Sequence, residues 1–158
     1  MIVYHGSTLE VKSPDADHSK KYLDFGSGFY VTSYKTQAEK WACRKGMRSD
    51  KPALVSVYDF DENASDIIIK RFMDENSDWL DYVCECRRGN DVEIADIIIG
   101  AVADDDVFKT VDMFVRGLWD RERTIEELRY YKKNNQIAIK NKKAIDKTLH
   151  FLYSYEVK

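Results

Sequence analysis

Apolar and polar positions change their period several times along the chain, and each change marks an element. Ile2, Val3 and Tyr4 are β-formers that run into His5, Gly6 and Ser7, which predicts a strand ending on that trio. A loop through Pro14 to Asp24 follows, and Gly28-Phe-Tyr-Val-Thr32 reads as a second short strand. Thr36 and Glu39 have capping-box spacing ahead of a helix carrying Lys40 to Cys43 and stopping at Gly46. Ala53 to Phe60 alternates as a strand, and Asp66 to Phe72, with three consecutive isoleucines, predicts another. Ser77 begins a helix with Leu80, Val83, Cys84 and Arg87 on one face. Asp96 to Ala103 reads as a buried strand bounded by Gly100 and by Asp104 to Asp106, one of which is expected to cap the following helix. Phe108, Val111, Phe114, Val115, Leu118 and Trp119 keep helical spacing between Val107 and Lys133. Thr124 with Glu127 offers a second capping box, for a helix over Ile125 to Tyr131, and Gln136 to Ile139 and Leu149 to Val157 close the chain as strands. Strands and helices come in mixed rather than strictly alternating order, which predicts an α+β fold over a doubly wound sheet. No repeat or linker interrupts the pattern, so residues 1–158 are read as a single domain.

With 44% hydrophobic and 34% charged residues, the chain has the composition of an ordinary globular protein, and its length allows a sizeable core without disulfides or metal. A net charge of −3 neither attracts nor repels nucleic acid strongly. The charge is uneven, however. From Arg129 to Lys147 seven positive residues, among them Lys132, Lys133 and Lys140, face the single acid Asp146. This run reads as a solvated face or as a footprint for phosphate or nucleic acid.

Cys43, Cys84 and Cys86 are odd in number and lack the paired spacings of a zinc site, so reduced thiols and no bound metal are expected. The start Met1-Ile-Val-Tyr-His5 has no leader pattern, and no apolar stretch approaches membrane-spanning length. A cytoplasmic protein without a membrane segment is expected. His18 and His150 fall in no motif and read as surface and strand residues.

The candidate chemistry lies in Tyr4-His-Gly-Ser7, in Asp24-Phe-Gly-Ser-Gly-Phe-Tyr30, and in Trp41, eleven residues past that tyrosine. Taken singly, His5 reads as a satisfied strand-end histidine, and Tyr30 and Trp41 read as core aromatics. Their joint spacing, with a polar residue opening a late strand, resembles the ADP-ribosyltransferase superfamily. The resemblance is to the branch of diphtheria toxin and the poly(ADP-ribose) polymerases, whose signature positions are His, Tyr and Glu. It spans Tyr4 to Ile139 and is nearest to small bacterial domains often encoded beside a short partner protein.

The resemblance implies a split β-sheet core with flanking helices and an NAD cleft. It implies that His5 hydrogen-bonds ribose, that the Gly6 backbone pinches the nicotinamide carboxamide, and that Ser7 assists. It further implies that Tyr30 and Trp41 lie on either side of the nicotinamide ring, where stacking and cation–π attraction contribute about 0.5 to 2 kcal/mol each. Gly28 and Phe29 complete the cofactor-binding set, with Gly26 and Gly28 letting the loop come close to the ligand.

At the third signature position this chain has Gln136 in place of glutamate. Cleavage between nicotinamide and ribose builds positive charge on the sugar, which a carboxylate there would stabilise. Loss of one such group costs roughly 3 to 4 kcal/mol. Three readings stay open: Gln136 supports slow mono-ADP-ribosyl transfer with His5 and Tyr30, a carboxylate such as Glu126, Glu127 or Asp104 to Asp106 reaches the site, or the domain binds NAD without chemistry. Gln136→Glu is expected to raise cleavage unless a native carboxylate already stands beside it. The expected activity is mono-ADP-ribosyl transfer from NAD to a protein or nucleic-acid acceptor, by an intracellular toxin or effector restrained by a small partner protein. NAD glycohydrolysis is the other enzymatic reading.

Overall fold

In the computed structural model, residues 1–17, 22–90, 92, 94–102, 105–130 and 134–158 are described, the side chain of residue 105 excepted. The fold is α+β, with two sheets and five helices among these residues. β1 (Ile2–Ser7), β3 (Leu54–Phe60) and β7 (Leu149–Glu156) form one antiparallel sheet, with β3 in the middle. β2 (Phe29–Val31), β6 (Gln136–Ile139), β5 (Ile97–Gly100) and β4 (Ile69–Arg71) form the second, in that spatial order. β4 and β5 run parallel, and α2 (Ser77–Arg87) makes the crossover between them. A bridge between Tyr4 and Thr32 joins β1 to β2 and is where the sheets meet.

Strand alternation assigns the layers. Val3, Tyr58, Phe60, Phe29, Val31, Ile137 and Ile139 point between the two sheets and form the central core with Ala144, Ile145 and Leu149. Ala38 and Ala42 of α1 (Lys35–Ser49) cover the outer face of the first sheet over Val55 and Val57. α2, α3 (Asp105–Val115) and α4 (Arg121–Leu128) cover the outer face of the second, where Trp79, Leu80, Val111 and Leu128 meet Ile98 and Ala138.

Several element ends differ from the sequence expectation. α1 starts at Lys35 with Tyr34 as an N-cap that makes no side-chain bond, so the Thr36–Glu39 capping box does not form. Glu39 instead accepts from the Tyr155 hydroxyl. The helical run after Val107 breaks at Gly117, whose φ is 73°, and resumes in α4. There Asp120 is the cap, accepting from the Arg123 N–H, and Thr124 lies inside the helix, donating to the Asp120 carbonyl. The strand expected over Asp66 to Phe72 is only the three residues of β4, with Ile68 exposed. α5 (Lys142–Thr148) was not expected, and Asn141 caps it by accepting from the Ala144 N–H. Asp104, one of the three aspartates among which the cap of α3 is expected, and the far ends of the segments reaching Ala103 and Tyr131 lie outside the described residues, as does His18. His150 is an exposed residue of β7. Cys84 and Cys86 are buried, Cys43 is partly so, and all three are free thiols. No helix among the described residues is long and apolar enough to cross a membrane.

Candidate functional site

The site is built from the divergence of β1 and β2. The Tyr4 N–H donates to the Thr32 carbonyl at 2.8 Å, and the Thr32 N–H donates back at 3.0 Å. Peptide groups two residues apart on a strand face the same edge, so Gly6 turns its N–H and C=O toward β2, as Tyr4 does, at a level where the bridge has ended. The Gly6 carbonyl accepts from Lys45 Nζ at 2.7 Å. A Cβ on Gly6 would lie 2.1 Å from the Ala38 carbonyl oxygen and 2.8 Å from the Ala42 nitrogen. Close passage of α1 therefore demands the glycine. Ser7 ends β1 opposite Leu54.

His5 points between the sheets. Its ring stacks on Phe29 with centroids 4.4 Å apart, and its Nδ1 is 2.7 Å from the Tyr30 carbonyl oxygen. The residue is half-buried, but its ring lies deep in the protein mass, and burial, reinforced by the Lys45 charge, pushes its pKa down to about 4 against the pull of the Tyr30 carbonyl. At neutral pH the ring is uncharged. Because the carbonyl can only accept, Nδ1 carries the proton and Nε2 is left with the lone pair.

The loop ahead of β2 is held at several points. The Tyr30 hydroxyl donates to the Gly26 carbonyl at 2.6 Å and accepts from the Phe25 N–H at 3.2 Å, while Lys140 Nζ donates to the Phe25 carbonyl. Burial, with the Asp24 carboxylate beside it, pushes the Tyr30 phenol well above its ordinary value, so it is a fixed donor and not an acid. Gly28, at φ 152°, brings the chain against β6, where a Cβ would sit 2.9 Å from the Ile139 carbonyl oxygen. Phe29 is buried in the central core and supports the site by backing the His5 ring.

Trp41 is half-buried and belongs to none of the three core clusters. Gln37, Trp41 and Lys45 are four residues apart on α1 and form one stripe. One end of that stripe reaches the residue before β6, where Gln37 Nε2 donates to the Asn135 carbonyl at 2.8 Å, and the other reaches Gly6 through Lys45. Trp41 is thus carried along the divergence between those two anchors. The Gln37 Oε1 is buried and has no partner among the described residues.

Gln136 is 5% exposed and is not in contact with His5, because β2 stands between β1 and β6. It shares the helix-covered face with Ala138 and Tyr30. Its Nε2 lies 3.4 Å from Asp24 Oδ2 and 3.5 Å from the Ala101 carbonyl oxygen. Asp24 in turn accepts on Oδ1 from Arg87 Nε at 2.9 Å and Nη2 at 2.8 Å, and the Arg87 guanidinium lies over Phe108 at 4.5 Å. The carboxylate beside Gln136 is Asp24, a residue the sequence reading used only as the start of a glycine loop. Glu126 is exposed and Glu127 half-buried on α4, Asp106 is exposed beside Lys109, and Asp104 lies outside the described residues.

The basic run largely serves the fold. Lys143 and Lys147 donate to the carbonyls of Asp66 and Ser65, and Lys142 pairs with Asp146. Lys132 and Lys133 lie outside the described residues. A cavity of about 500 Å³ opens beside Met1, Asp59, Asp61, Glu62 and His150, at the opposite end of β1 from Gly6. Its acidic wall repels a pyrophosphate, so it is no substitute for the divergence as a dinucleotide site. Among the described residues no group of three His, Cys, Asp or Glu side chains is arranged to hold a metal ion. No curated protein and no solved structure matches the chain. Residues 1–151 match the family described as protein of unknown function DUF3990, and the chain belongs to that family.

Proposed function

We propose that the chain binds NAD at the divergence of β1 and β2 in an ADP-ribosyltransferase-like fold and transfers ADP-ribose to a single acceptor. The observation that carries this reading is the neutral, oriented His5. Its Nδ1–H is committed to the Tyr30 carbonyl, so Nε2 is an acceptor for a ribose hydroxyl, one residue before a glycine whose peptide groups face the gap. In this reading Trp41, on α1 between Gln37 and Lys45, supplies an aromatic wall, and Tyr30, whose side chain lies on the helix-covered face, holds the loop ahead of β2. In the reaction the bond between the nicotinamide nitrogen and ribose C1′ breaks. Its electron pair leaves with nicotinamide and neutralises the pyridinium. The acceptor's nucleophile then bonds C1′ and gives up its proton.

The neutral Gln136 supports slow, single-acceptor chemistry. It also gives the second reading its footing, in which the domain binds NAD as an interaction module without cleaving it. Restraint of an intracellular effector by a small partner protein belongs to the same proposal. Incubation of the purified protein with labelled NAD and cell lysate tests it. Nicotinamide release with label transferred to a macromolecule is expected. Release without transfer marks a glycohydrolase, and binding without release marks the second reading.

A further inference from the structure

We infer that Asp24 is a positioning residue of this site, and that the Asp24–Gln136 pair takes the place of a single carboxylate at the start of β6; the inference rests on the function proposed above. The direction of the Gln136 amide carries it. Both partners of Nε2, the Asp24 carboxylate and the Ala101 carbonyl, are acceptors only, so a flipped amide would set oxygen against two oxygens. The contacts are long, and what they fix is which end of the amide faces inward. Oε1 is thereby left as the acceptor end of the amide, the role a ribose hydroxyl requires.

Asp24 is itself held. Arg87 binds Oδ1 with two N–H groups while Gln136 Nε2 faces Oδ2, and the two charged side chains are only 15% and 12% exposed. A pair desolvated to that degree contributes little net stability compared with apolar packing, which is consistent with a role at the site. The same geometry explains the amide at position 136. A glutamate there would place a second anion against Asp24 Oδ2, and like charges at that range exclude one another. The anion has moved from the strand to the loop before β2, and the strand residue has become its neutral donor partner.

Exchanging the two groups tests this. Gln136→Glu, Asp24→Asn and the double variant are compared with the unaltered protein by kcat and KM for nicotinamide release, alongside thermal melting. The pair predicts at least a ~10-fold loss of kcat in Gln136→Glu with KM little changed, and a lower melting temperature from the second anion beside Asp24. It predicts recovery to within a few-fold in Asp24→Asn/Gln136→Glu, where the new amide donates to the new carboxylate. Single losses that simply multiply in the double variant overturn the inference. If Asp24→Asn does not fold, Gln136→Glu decides alone, and a rate above that of the unaltered protein overturns the inference. An unaltered protein that neither binds nor cleaves NAD overturns the functional reading with it, whereas turnover without coupling overturns this inference only.

Discussion

His5 Nδ1 stands 2.7 Å from the carbonyl oxygen of Tyr30, across a gap where β1 and β2 have stopped pairing. A side chain thus does the work of a strand hydrogen bond, and in doing so fixes its own tautomer. The consequence is a histidine that stays neutral over the physiological range and keeps one ring nitrogen as an acceptor.

That relationship sets a pH dependence of stability. The folded-state pKa of His5, about 4, lies below its ordinary value of 6.5, so between those limits the unfolded chain binds the proton first. Stability contributed by the neutral ring is full above pH 6.5 and is lost as pH falls toward 4, up to about 3 kcal/mol. His5→Gln removes the titration, so the difference in unfolding free energy between the two proteins should narrow steadily from pH 7 to pH 4. A difference that stays constant over that window contradicts the assignment.

Trp41 should report directly on the ligand. Trp79 is fully buried and Trp119 lies under the Arg123 guanidinium, which leaves Trp41 as the tryptophan on the divergence. NAD is expected to quench the intrinsic fluorescence, and Trp41→Phe should abolish most of the quenching while affinity falls only a few-fold. Trp41→Ala should lose about tenfold in affinity, in line with an aromatic contact of about 1.4 kcal/mol. Equal losses of melting temperature in both variants with unchanged affinity would make Trp41 a packing residue.

Lys45 competes for the Gly6 carbonyl that the proposed carboxamide pinch uses. Free nicotinamide is uncharged and gains nothing from the lysine's field. Lys45→Met should therefore bind it more tightly, by about 5-fold if roughly 1 kcal/mol of charge-assisted bonding no longer has to be broken. The same change removes a positive neighbour of His5, so the His5 pKa, followed by NMR, should rise. Weaker nicotinamide binding would show that Lys45 belongs to the ligand's own contacts.

Most strands were legible because β-branched and aromatic runs announce them: Val55, Val57, Ile97 and Ile98 are all fully buried as such residues should be. α5 was not, because in Lys142–Thr148 only Ala144, Ile145 and Thr148 are buried, too few apolar positions to show a period within a charged stretch. The Asn141 cap was the available signal. The two capping boxes misled for one reason: a Thr three residues before a Glu also occurs inside helices, where Thr124 bonds back to Asp120. In the candidate site, His5, Tyr30 and Trp41 were singled out by their spacing because they lie on neighbouring segments of one short stretch of chain. Asp24 was missed because its partner Gln136 is 112 residues away and its partner Arg87 is 63 away, so tertiary packing alone brings them together. Gly6 was noticed for its motif, and its need for α1 to pass close was not legible because Ala38 and Ala42 meet it only in the fold.

Calorimetric titration of NAD into the purified protein, with a parallel melting curve, tests the central claim most directly. The account predicts a saturable heat and a rise in melting temperature, equivalent to ~2.7 kcal/mol at a hundredfold excess over Kd, with both strongly reduced in a folded His5→Ala variant. No heat and no shift at saturating NAD, or full binding by His5→Ala, would contradict it.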